Sequence, residues 1–124
     1  MPCHRALILA PFDDAQLRRL RPHVETTHES WLDTRKLTNP DELASRLVSG
    51  RFSILIVEAD FVFEEIFEDG TPLRFVGVCR GSIGHIDVDA ATASGVLVVN
   101  TPGRNAQAVA EHALGLMLAV ARNI

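Results

Sequence analysis

The stretch Arg80-Gly81-Ser82-Ile83-Gly84 has the residue types and spacing to hold an anion. Glycines three positions apart remove Cβ atoms where the chain must approach a ligand, so main-chain N–H groups can point at a small carboxylate. Asp87 can cap a helix that begins just behind the loop. The same glycines also suit a plain tight turn, and the residues alone leave both readings open.

The remaining polar positions offer less. Gly77, Gly81 and Gly84 are not a dinucleotide fingerprint, because GxGxxG opens a long helix directly after the first strand and these follow the fourth. No other GxGxxG occurs, so a nicotinamide or phosphate site is not expected within these residues. Cys3 and Cys79 form no CxxC and read as reduced thiols. His23 and His28 bracket Glu25, but a strand sends positions five apart to opposite faces and Pro22 interrupts a helix there, so no metal site is expected. Glu111 and His112 are adjacent on a helix, where neighbours do not face one another.

Five apolar segments alternate with helical ones and must position these groups. Ala6–Ala10 is a first strand, ended by Pro11; Asp13 caps a helix carrying Leu17 and Leu20 inward and closed by Pro22. Val24–Thr27 reads as an edge strand. Glu29–Thr38 is hard to read, with Trp31 packed under a loop. Asn39-Pro40 starts a helix that presents Leu43 and Leu47 and ends at Gly50. Phe52–Val57 is the third strand, Val62–Phe67 a short helix, and Arg74–Cys79 the fourth strand. Val88–Ser94 is a helix stopped by Gly95. Val96–Val99 is a fifth strand, whose uninterrupted apolar run suits burial on both faces.

This alternation predicts an α/β fold: a flavodoxin-like, doubly wound, parallel five-stranded sheet of order 2-1-3-4-5, ending in a long interdomain helix. Ligands of such a sheet bind beyond the carboxyl ends of the strands, here Pro11–Asp14, Glu58–Asp60, Arg80–Gly84 and Asn100–Arg104.

The last helix, capped by Asn105 and running to about Arg122, carries two apolar stripes. Val109, Ala113, Leu116, Met117 and Val120 form one, and Ala110, Leu114, Leu118 and Ala121 the other. A single sheet face cannot cover both, and the Ala113–Ala121 run is shorter than the ~20 residues a bilayer span needs. A second body is therefore expected, either a second copy or further coding sequence.

The totals agree with one domain. The chain has 124 residues, 47% of them hydrophobic, and a net charge of -4. Arg18, Arg19 and Arg21 are the densest basic group and read as a solvated helix face, so nucleic acid is not an expected partner. The N-terminal residues move straight into a strand without a signal peptide or membrane segment, from which a cytoplasmic location is expected.

From Asn100-Thr-Pro-Gly-Arg-Asn-Ala-Gln-Ala-Val-Ala-Glu-His-Ala-Leu-Gly-Leu-Met-Leu-Ala-Val-Ala-Arg122 the chain closely resembles the segment leading out of the substrate domain of NAD-dependent D-2-hydroxyacid dehydrogenases, the group that includes phosphoglycerate dehydrogenase. Leu73–Val96 is similar to the substrate-loop segment of that family; the likeness is specific from about Leu73 onward and general before it. The resemblance implies residues 1–104 as a substrate-binding domain and 105–124 as a linking helix toward a nucleotide-binding domain. It implies a hydride transferred between NAD, or NADP, and a 2-hydroxy or 2-oxo acid. Gly81, Ser82, Ile83 and Gly84 would give main-chain amides to the substrate carboxylate, and Asn100 would line the same cleft. The family's catalytic Arg and its Glu-paired His come from later in its chain, so this chain alone is expected to be inactive and to hold no cofactor. A homodimer, with a second copy packing on the helix 105–122, is also expected from its uncovered apolar stripes.

The chain departs from the family at three places. Many members have Asp where Gly84 stands and Gly where Ser82 stands. Some phosphoglycerate-type members have Arg where Glu58 stands, and an acidic group there should repel a phosphorylated acid. Two rival readings share these residues. One is a stand-alone, self-associating carboxylate-binding module. The other is a receiver-like phosphoacceptor domain built on Asp13, Asp14, Asp60 and Ser82, for which Asn100 and Arg104 stand where a lysine is needed.

Overall fold

The computed structural model describes residues 3–124. Strands β1 (Arg5–Ile8), β2 (Glu25–His28), β3 (Ile54–Val57), β4 (Phe75–Val78) and β5 (Leu97–Asn100) form one sheet in the order β2-β1-β3-β4-β5, with every neighbouring pair parallel. Between them lie α1 (Asp14–Leu20), α2 (Trp31–Thr34), α3 (Pro40–Gly50), a 3-10 turn at Glu64–Phe67 and α4 (Val88–Ala93); α5 (Ala106–Arg122) follows the sheet.

Local chemistry sets most boundaries. Asp13 Oδ1 accepts the Gln16 N–H at 3.1 Å, Asn39 Oδ1 the Asp41 N–H at 2.9 Å, and Asp87 Oδ1 the Ala90 N–H at 2.9 Å, so α1, α3 and α4 begin with a satisfied amide. α3 ends at Gly50 as expected, but not through a left-handed glycine. The left-handed residue is Arg51 (φ 51°), not Gly50. Gly50 is required for another reason: a Cβ there would lie 2.3 Å from the Phe52 ring. Phe52 is buried and carries the Arg5 guanidinium 4.9 Å from its centroid.

The two sheet faces are unequally covered. On one, Leu7, Leu55 and Val76 pack with Leu43 and Leu47 of α3, Ile66 of the 3-10 turn and Ala91 of α4 into the main core. On the other, Ala6 and Ile8 meet Leu17 of α1 and Val24, with Ile54 and Ile56 partly covered. Register then carries this second face outward, because Ile54 pairs with Phe75, which pairs with Leu97, and Gly77 pairs with Val99. Nothing in the described residues covers its far edge: Leu97 is 60% and Val99 45% exposed. β5 is thus partly covered on one face, through Val98, and open on the other, contrary to the both-face burial read from its composition.

α5 has no buried residue, and Val120 is 82% exposed. Asn105 occupies its N-cap position, yet its side chain makes no capping bond. Among the described residues no helix is long and apolar enough to cross a membrane.

Candidate functional site

The carboxyl ends of β3, β4 and β5 converge on one edge, where the exit loops are fastened to one another. Val62 donates its N–H to the His85 carbonyl at 3.0 Å, and the Asp87 N–H returns to the Val62 carbonyl at 2.8 Å, joining the loops after β3 and β4. Asn100 Nδ2 donates to the Gly81 carbonyl at 2.9 Å, and the Thr101 N–H to the Arg80 carbonyl at 3.0 Å, joining the loops after β4 and β5. Gly81 sits against the Thr101–Gly103 backbone, its Cβ position 3.5 Å from the Pro102 Cα.

This fastening leaves the Arg80–Gly84 loop open. Gly81, Ser82, Ile83 and Gly84 are all exposed, and their N–H groups find no acceptor among the described residues. Unpaired amides in succession are the feature by which backbone binds anions. Gly84 has open space around its Cβ position. The structure therefore brings Gly81, Ser82, Ile83, Gly84 and Asn100 together on one loop system, with Asn100 pinning the loop from below through the Gly81 carbonyl.

Arg80 and Arg104 flank this loop and line two adjoining clefts. One, of about 260 Å³, contains Gly81, Ser82 and Asn105. The other, of about 290 Å³, contains Trp31, Glu58 and Ala59. Glu58 ties the second together: Arg104 Nη2 donates to its Oε1 at 2.8 Å and the Trp31 indole Nε1 to its Oε2 at 2.9 Å. The Glu58 side chain is 17% exposed and that of Arg104 46%. The charge of Glu58 is therefore matched locally.

Sequence reasoning missed this trio. Trp31 begins helix α2, capped by Ser30, where a loop was expected, and its indole faces the cleft wall formed by Glu58. His85 was also missed. Burial and the nearby Arg80 charge push its imidazole below the ordinary value, against weaker opposing effects of the Glu58 backbone and Asp60, and its Nε2 has no partner. The Cys79 thiol is pushed up, first by burial and then by the Glu58 charge.

Other candidates are spent on structure. Asp13 caps α1. Asp60 is 1% exposed, and its Oδ1 accepts the Thr38 N–H at 2.8 Å, so the acceptor of a receiver-like reading is not open to solvent. Glu25 pairs with Arg5 at 3.1 Å, and His28 Nε2 lies 3.0 Å from the Ala10 carbonyl. Among the described residues no group of three or more His, Cys, Asp or Glu is placed to hold a metal.

Residues 6–120 match the sequence model of the D-isomer specific 2-hydroxyacid dehydrogenase catalytic domain. The chain belongs to that family. It is 36% identical over 118 residues to the putative 2-hydroxyacid dehydrogenase YoaD of Bacillus subtilis, covering 94% of this chain and 34% of the relative. It is 43% identical over 107 residues to the D-3-phosphoglycerate dehydrogenase of Mycobacterium bovis, covering 86% of this chain and 20% of that enzyme. Among solved structures, the TT0316 protein of Thermus thermophilus superimposes with a TM-score of 0.79 at 29% identity, covering 96% of this chain and 37% of that one. The NAD+-bound 3-phosphoglycerate dehydrogenase of Entamoeba histolytica shares the fold, with a TM-score of 0.71 at 22% identity, over 94% of this chain and 38% of that one. The chain thus spans between 20% and 38% of the length of these four proteins.

Proposed function

We propose that residues 1–104 are the substrate-binding domain, and 105–124 the linking helix, of an NAD- or NADP-dependent dehydrogenase that interconverts D-2-hydroxy acids and 2-oxo acids. The carrying observation is the open Arg80–Gly84 loop: four successive exposed residues whose amides have no acceptor, beside an Arg80 without an ion-pair partner, among the described residues of a chain of this family. The amides of Gly81, Ser82, Ile83 and Gly84 receive the substrate carboxylate, and Asn100 holds the loop in register by its bond to Gly81.

The residues present do not fit the cofactor itself. The exit of β1 is Pro11-Phe12-Asp13, without the glycines a dinucleotide cradle needs. Binding of NAD or NADP accordingly belongs to a separate nucleotide domain, and the exposed apolar stripes of α5 are the surface that such a domain or the second copy of a homodimer covers. Two unpaired cysteines suit a reducing, cytoplasmic setting.

Two measurements test the reading on the 124-residue chain. Titration with oxamate, an unreactive 2-oxo acid mimic, should move the backbone amide resonances of Gly81–Gly84. NADH with glyoxylate or pyruvate should show no turnover. Immobile loop amides, or steady NADH oxidation, would overturn the proposal.

A further inference from the structure

The clefts beside the loop carry more positive charge than one carboxylate needs. Trp31 and Ala59 are shared between the Glu58–Arg104 cleft and an adjoining one bordered by Arg35 and Lys36. Among the residues lining these two clefts Arg35, Lys36, Arg80 and Arg104 stand against the one carboxylate of Glu58, although Lys36 also borders a neighbouring cleft with Glu29, Glu42 and Asp60, and the chain as a whole has a net charge of -4. Concentrating cations on one edge of an acidic chain raises the local concentration of anions and favours those of higher charge.

Arg104 is the cation best placed to select. It is separated in sequence from the loop, yet it lines both the Glu58 cleft and the cleft that contains Gly81 and Ser82. Only its Nη2 is engaged, by Glu58, which leaves the other donors of a planar guanidinium free. Glu58 is in turn held by the Trp31 indole, so the guanidinium is fixed from behind rather than left to swing. A fixed guanidinium loses little freedom when it takes a carboxylate by two parallel bonds.

We propose that Arg104 is a specificity-determining residue: it takes a second anionic group, on the side chain of an acid whose first carboxylate lies on the Gly81–Gly84 amides, and Glu58 and Trp31 position it. The substrate class is then a dianionic 2-hydroxy or 2-oxo acid, such as a 2-oxo dicarboxylate. This rests on the substrate-domain reading above.

Trp31 is the one tryptophan of the chain, so its indole reports on this site alone. The probes are malonate, a dianion, and acetate, a monoanion, at matched ionic strength, followed through the indole N–H, the Arg104 Nε–H and the loop amides. Malonate should saturate all three at roughly fivefold or more lower concentration than acetate, as expected for one additional charge-assisted contact. Arg104→Gln should bring malonate to the level of acetate while the loop amides still respond. Glu58→Gln keeps an acceptor for the indole but releases the guanidinium, and should broaden the Arg104 Nε–H and reduce the malonate preference. Equal response to both acids, or an unchanged malonate preference in Arg104→Gln, overturns the inference. Loop amides that respond to neither acid would instead overturn the substrate-domain reading, so the two failures are distinct.

Discussion

On one face of the sheet Leu7, Leu55 and Val76 are sealed beneath α3 and α4, while on the other Leu97 and Val99 stand open, and α5 buries none of its leucines and valines. The side chains are of the same kind in both regions. Apolar patterning shows that a residue is meant to be covered, and the identity of the cover lies elsewhere. In the first region the cover is supplied by crossover helices within about forty residues of the strand, and the interaction is complete in this chain. In the second it is not, and the whole of α5 is held by its own hydrogen bonds.

The largest effects should separate the two regions by stability. Leu55→Ala removes a fully buried side chain and should cost about 2–5 kcal/mol, whereas Leu116→Ala on α5 should stay within about 0.5 kcal/mol in the monomer. Urea denaturation of the two variants measures this, and a similar loss in both would erase the contrast. The open region should show itself in association: Met117→Glu, placed on an exposed stripe, should shift the chain toward monomer in sedimentation velocity.

Helix starts give an intermediate effect. Asp13→Ala, which removes a formed capping bond, should cost about 1 kcal/mol. Asn105→Ala should cost less than about 0.5 kcal/mol, because no such bond exists there. A large loss at Asn105 would mean that α5 is stabilised at its start in some way other than its side chain.

The smallest effect lies at the seam between the loops. Burial, with the Arg80 charge, lowers the folded-state pKa of His85 below its ordinary 6.5, against Asp60 and the Glu58 backbone. The unfolded chain therefore binds the proton first. The stability associated with neutral His85 is fully present above pH 6.5 and is lost as pH falls from there through the folded pKa. His85→Asn should flatten the stability curve over that window, and an unchanged slope would show that other groups set it.

Much of this was legible in short windows of sequence. The caps at Asp13, Asn39 and Asp87 act within three residues, and strand and helix periodicities within ten, so the strands, these three helices and the parallel 2-1-3-4-5 sheet could be read directly. Gly81 and Gly84 marked the loop because their effect is local to the backbone. Asn105 misled because residue type shows a capacity to cap and not the dihedral angles that bring the oxygen to an amide. Gly50 marked the end of α3 correctly, although its constraint is the Phe52 ring rather than a left-handed cap.

The chain by itself thus determined its strands, most of its helices, their order and a glycine-bearing loop after β4, since these follow from torsional preference and hydrogen bonding between near neighbours. Only the tertiary structure decided that Trp31 and Arg104 meet on Glu58, across 27 and 46 positions, and that Asp60 is buried while Leu97 is not. Those outcomes depend on how parallel crossovers stack strand ends on one edge, a geometry that residue type at separate positions does not carry.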